Sequence, residues 1–205
     1  MGRWSGWVSL VGNKTSFFSI FSIALGSVIA AFPAQAQKRP IDVEHSRLTV
    51  RVYKAGLFSA LGHEHEIAAP IASGTIDDSD HSSVEFRVEA AKLKVLDPGE
   101  SESDRAKVQK TMESEVLAVA QFPEIRFVST AAEKTGEGRW TVHGNLTLHG
   151  ATRPLVVSVQ LRGGKYRGEV MIRQRDFGIT PVSAGGGTVK VKDELKIEFE
   201  IAVQR

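Results

Sequence analysis

Val142-His143-Gly144-Asn145-Leu146-Thr147-Leu148-His149, then Gly150-Ala151-Thr152-Arg153-Pro154, then Leu155-Val156-Val157-Ser158-Val159-Gln160-Leu161: this stretch decides the fold. Val142, Gly144, Leu146 and Leu148 share one face, and the polar His143, Asn145, Thr147 and His149 the other. After a turn, Leu155, Val157, Val159 and Leu161 repeat the pattern. Period two, broken by a Gly- and Pro-bearing turn, is the signature of a β-hairpin with one buried and one wet face. Such strands belong to antiparallel sheets, because parallel strands are usually apolar on both faces.

The pattern extends outward in both directions. Leu48, Val50 and Val52 alternate with Arg47, Thr49 and Arg51, and Val84, Phe86, Val88 and Ala90 with Ser83, Glu85, Arg87 and Glu89. Ile125 and Phe127 continue it, as do Leu195, Ile197, Phe199, Ile201 and Val203. Turn residues separate the runs at Asp77-Asp78-Ser79-Asp80, Thr135-Gly136-Glu137-Gly138 and Gly163-Gly164, with a loop at Gly185-Gly186-Gly187. About eight strands of seven to nine residues result, and closing their sheet removes its exposed edges, so the expected fold is an all-β antiparallel barrel. One segment differs: Val108, Met112, Val116 and Val119 recur at helical spacing, which predicts a packed helix over 101–120 with Ser101 and Asp104 as its cap and Pro123 barring continuation. A short turn is expected over 56–61.

Residues 1–36 stand apart. Arg3 and Lys14 are their only charges, an apolar run spans Phe17 to Phe32, and Ala34-Gln35-Ala36 is a small-x-small cleavage pattern. That order reads as a secretory signal, and the run is short of the ~20 residues of a membrane span. The mature domain is then 37–205, and the chain is expected in the periplasm. Losing Arg3 and Lys14 leaves 24 basic residues against 24 acidic ones, so no basic surplus points to nucleic acid. The chain has no cysteine, hence no disulfide, thiol nucleophile or lipidated cysteine, and its stability must come from a packed core.

His45-Ser46, Phe122-Pro123-Glu124-Ile125-Arg126-Phe127-Val128-Ser129, Gly144-Asn145-Leu146-Thr147-Leu148-His149-Gly150 with Thr152-Arg153-Pro154, and Asp176-Phe177-Gly178-Ile179 follow one another in a familiar order. With them the mature chain resembles the YceI-like family of periplasmic lipid-binding proteins. The resemblance implies an extended, lipocalin-like barrel with a helix at one side and an apolar pocket for a polyisoprenoid, an isoprenoid quinone or a fatty-acid-like lipid. The chain departs from the family at Val116-Leu117, where two aromatics are usual, and at Gln174, where an arginine is usual. It also carries Gly62-His63-Glu64-His65 where a Gly-x-Phe segment is common.

The candidate ligand-binding residues are Val50, Val52, Leu57, Phe58, Ile67, Phe86, Val88, Met112, Phe127, Leu146, Met171 and Phe177. Gly144, in a strand interior, is expected to leave room where a side chain would sit. His63, His65, Arg173 and Arg175 are candidates for a ligand headgroup. His63 and His65 share a strand face, but two imidazoles fall short of the ligand number of a zinc site, even with His143 and His149 considered. His45-Ser46 reads as a hydroxyl capping a strand start. No nucleophile elbow or paired-carboxylate spacing is visible. The function expected is therefore a carrier that sequesters a lipid-like small molecule, with no cofactor and no catalysis, and with transient membrane or membrane-protein contact. A histidine-dependent metal- or haem-linked accessory protein and a lipid-modifying enzyme are the alternatives.

Overall fold

A computed structural model describes residues 38–55, 65–79, 82–184 and 189–204. The segment 1–36, the turn over 56–61, Leu57, Phe58, His63 and Gly185-Gly186-Gly187 lie outside the described residues.

Eight antiparallel staves close into a barrel. In chain order the strands are β1 (Arg39–Ala55), β2 (His65–Ala68), β3 (Ile71–Asp77), β4 (Ser83–Glu89), β5 (Lys94–Val95), β6 (Glu124–Gly136), β7 (Arg139–Leu148), β8 (Ala151–Arg162), β9 (Lys165–Arg173), β10 (Ser183–Ala184) and β11 (Val189–Val203). The β1–β11 ladder shuts the ring. The short strands are pieces of longer staves: β2 and β3 both pair with β1 and are interrupted at Ala69-Pro70, while β4 and β5 are separated by a single 3-10 turn, Ala90–Lys92. Several staves exceed the seven to nine residues expected, because β1 and β11 run on through bulges. At one of these, Ser46 Oγ donates to Asp42 O at 2.6 Å and accepts from Ala202 N at 3.0 Å, so the hydroxyl stitches a bulge rather than capping a strand start.

Three hairpins fall at the glycine turns read in the sequence, although the β7–β8 turn is tighter than Gly150–Pro154. His149 and Gly150 alone form it, at φ 50° and 73°, and β8 starts at Ala151. The helix is also shorter than 101–120. The segment α1 (Glu102–Thr111) starts where Ser101 Oγ accepts from Asp104 N at 3.1 Å. It then widens into one π-turn, Met112–Val116, where Leu117 N bonds Met112 O. Ser114 Oγ donates to Lys110 O at 2.7 Å, a competition for a helix carbonyl that bends helices, and Ala118 at φ 44° ends the segment.

Strand polarity defines two ends. One gathers the end of β3 at Asp77, the start of β4 at Ser83 and the turns at 136–139 and 162–165. The other gathers α1, the β7–β8 turn and the 3-10 turn Gln174–Phe177.

Candidate ligand-binding cavity

The inward side chains do not fill the barrel. They enclose a cavity of about 480 Å³, lined on every stave by aliphatic and aromatic groups, among them Leu48, Val50, Val52, Ile67, Phe86, Val88, Phe127, Val142, Leu146, Val157, Ile172 and Phe199. At ~30 Å³ for each water in the liquid, that is room for roughly 16 water-sized groups. It falls within the ~300–1,000 Å³ of small-molecule sites.

Glycine keeps this space open. A Cβ at the inward Gly144 would stand 2.4 Å from Phe127 Cζ, and one at Gly168 would stand 2.6 Å from Phe199 Cζ. Each ring thus lies flat against the wall over a glycine, the covering of glycine by aromatics that sheets use to hold curvature. The room expected at Gly144 is real, and the ring of Phe127 takes it. Phe86 stacks on Phe127 with centroids 5.6 Å apart.

One end is plugged. Trp140 meets Tyr166 edge-on at 5.7 Å between centroids. Tyr166 Oη donates to Asp78 Oδ2 at 2.5 Å, and Arg39 donates to the same oxygen at 2.6 Å. Burial, followed by the bond to the Asp78 carboxylate, pushes the Tyr166 phenol up to about 12.

The helix-bearing end is lined differently. Val108, Met112, Val116 and Leu117 of the α1 segment face the cavity, and so do Lys107, Thr111, His65 and Gln174. Gln109 pins the helix to the β5 stave, donating to Leu93 O at 2.8 Å and accepting from Val95 N at 2.9 Å. His65 Nδ1 lies 2.6 Å from Oδ2 of the buried Asp97, whose Oδ1 accepts from Glu66 N at 2.8 Å. Gln174 is buried and donates to Lys192 O at 2.8 Å.

Of the residues named from sequence, Val50, Val52, Ile67, Phe86, Val88, Met112, Phe127, Leu146 and His65 all line the cavity. Met171 does not: it is 52% exposed, because in β9 the inward parity belongs to Tyr166, Gly168, Val170 and Ile172. Phe177 is fully buried at 1% exposure but packs in the wall, outside the lining. Its carbonyl bonds His149 Nδ1 at 3.3 Å, and the His149 ring lies 4.3 Å from that of Phe122. Three of the quoted motifs therefore meet in one structural knot at this end. Arg173 and Arg175 are exposed and outside the lining; Arg173 stands 3.9 Å from Glu194, and Gln174 between them is the inward residue. Asp97, Trp140 and Tyr166 were missed from sequence. Trp140 and Tyr166 sit at inward parity in their strands, whereas nothing in Asp97-Pro98-Gly99 signalled more than a turn. Among the described residues, no three His, Asp or Glu cluster as a metal site would require.

The YceI-like domain family matches residues 40–203. A UPF0312 protein of Pseudomonas savastanoi pv. phaseolicola (strain 1448A / Race 6) is 33% identical over 199 residues, covering 89% of this chain and 95% of the relative. Among solved structures, Burkholderia cenocepacia BcnA superposes with a TM-score of 0.58 at 18% identity, over 80% of this chain and 99% of that one. A polyisoprenoid binding domain from Saccharophagus degradans, implicated in plant cell wall breakdown, gives 0.54 at 13% identity, over 80% and 97%. At such identities the two structures speak to the fold.

Proposed function

The chain belongs to the YceI-like family, and from that premise we propose that it is an exported binding protein that holds a long apolar chain of the polyisoprenoid class inside its barrel. The observation that carries this reading is the cavity itself, apolar along its length and roughly 16 water-sized groups in capacity at ~30 Å³ each. That suits about three isoprene units buried at once. At ~0.8 kcal/mol per methylene the gross gain is ~13 kcal/mol, enough to offset an association cost of ~4–15 kcal/mol. The naming of the Saccharophagus degradans domain as polyisoprenoid binding supports the same class of ligand.

The mechanism is sequestration: the barrel wall substitutes for membrane and keeps the chain from water. Apart from polar groups at its two ends, the lining is aliphatic and aromatic, which suits holding rather than turnover, so we read the protein as a carrier and not an enzyme. Cleavage after Ala36 and residence in the periplasm complete the reading, and ligand exchange there calls for transient contact with a membrane or membrane protein.

The test is organic extraction of the protein purified from its own cell envelope, followed by mass spectrometry and N-terminal sequencing. A co-purified prenyl or similarly long chain and a start at Gln37 are expected. A protein that carries no such chain and takes up neither farnesol nor a longer prenol on titration refutes the reading.

A further inference from the structure

The helix-bearing end of the cavity holds an oriented imidazole. Parity turns His65 and Ile67 of β2 inward and Glu66 outward, where Arg51 stands 3.2 Å from it. Behind the imidazole lies Asp97, its side chain 1% exposed. A buried carboxylate is costly unless its lone pairs are taken. Here Glu66 N donates to Oδ1, and Oδ2 faces His65 Nδ1 at 2.6 Å. A carboxylate accepts only, so it selects the tautomer with hydrogen on Nδ1, the arrangement by which a carboxylate behind a metal-ligating histidine orients its ring. In the neutral ring Nε2 is then a bare acceptor, and it has no partner among the described residues.

We propose that the His65–Asp97 pair is the headgroup site of the cavity and that it takes a neutral hydroxyl, as on a prenol or phenol, by accepting its hydrogen bond at Nε2. This rests on the reading of the barrel as a prenyl-chain binder. The charges at this end favour a neutral head over an anionic one. Among the described residues, Lys107 is the only lysine or arginine lining the cavity; its side chain is 74% exposed, and it is already paired with Asp104 at 2.9 Å. Asp97 stands directly behind the imidazole and repels a second anion. Arg173 and Arg175, the cations nearest in sequence to the inward Gln174, are outside the lining. A hydroxyl seated on His65 leaves the rest of the chain to run down the apolar lumen toward Phe127.

The test is calorimetric titration of the delipidated exported protein with three probes of one chain length: farnesol, farnesyl methyl ether and farnesyl phosphate. The ether keeps the oxygen but has no hydrogen to donate. In the parent, farnesol is expected to bind about tenfold tighter than the ether, the effect of leaving a buried acceptor unpaired. Farnesyl phosphate is expected to bind no tighter than farnesol. In His65→Asn, whose amide can still donate to Asp97, the alcohol-to-ether ratio falls toward one while the ether itself still binds. Equal binding of alcohol and ether by the parent overturns the proposal without needing any variant. An unchanged ratio in folded His65→Asn, or a preference for the phosphate, overturns it too. A parent that binds none of the three defeats the prenyl-chain reading itself, a different result from binding all three alike.

Discussion

Gly144→Ala should close part of the lumen without touching any ligand directly. The added Cβ would stand 2.4 Å from Phe127 Cζ, 2.8 Å from Cε2 and 2.8 Å from Val128 O. Carbon atoms rest at ~3.5–4.0 Å, so the ring tip must retreat by roughly 1 Å or more. The Val128 carbonyl, backbone of the β6–β7 ladder, must itself give by a few tenths of an ångström, and the ring, a flexible side chain, makes the larger move, into the lumen. Overpacking of this kind costs ~1–3 kcal/mol of stability. If the displaced ring excludes two or three methylenes of ligand at ~0.8 kcal/mol each, affinity falls by ~1.6–2.4 kcal/mol, about 15- to 60-fold in Kd. Competitive displacement of a fluorescent prenyl probe measures this, with circular dichroism as the folding control. Adding Phe127→Leu to Gly144→Ala removes the obstructing ring, and the two changes should then couple by recovering affinity together. A Gly144→Ala protein that binds within twofold of the parent, or a double variant that recovers nothing, would refute the argument that this ring bounds the lumen.

Leu146→Arg, at the in-register partner of Phe127, places an unpaired charge in the cavity wall and should abolish retention of an apolar chain; undiminished binding by a folded variant, read by mass spectrometry, counts against an interior site. Tyr166→Phe should change the alkaline limb of the stability curve. The phenol is raised from 10 to about 12, so its contribution is full below pH 10 and is lost as pH rises toward 12, and denaturant midpoints for parent and variant should converge over that window. Glu198 is held below the usual carboxylate range by its hydrogen bonds to Arg51 and then to Lys196, so its contribution is present near neutrality and lost as pH falls through its lowered value. Arg51→Met should move the Glu198 titration, followed by carboxyl NMR, back toward pH 4.5, and an unmoved midpoint would deny Arg51 that role.

The barrel was legible because inward parity is a local property. Leu146, Leu148 and Val157 could be placed with no knowledge of their partners. The broken staves were harder to see, since Ala69-Pro70 and Ala90–Lys92 interrupt a strand locally while the ladder continues through neighbours far off in sequence. Met171 failed because its hydrophobicity was read ahead of its parity. Arg173 and Arg175 failed for the related reason that charge drew attention from the inward Gln174 between them. The helix stopped early at a hydroxyl, Ser114, whose choice of acceptor no periodicity encodes. Asp97 was beyond reach, because its partner lies 32 residues away in sequence and its own setting reads only as a turn.

The seam between β1 and β11 imposes an order of events. Its rungs join residues such as Asp42 and Ala202, and at the bulge Ser46 Oγ accepts from Ala202 N, 156 positions away. While the last strand is missing, β1 and β9 present open edges and the future lumen is an uncovered apolar trough. Edges and troughs of that kind invite association with other chains. Long-range closure is also the slow class of folding step. The vessel therefore does not exist until its final stave arrives, and loading has to follow completion of the chain. A lipid that favours the closed ring adds stability only after that moment, so a delipidated barrel should open at this seam more readily than a filled one.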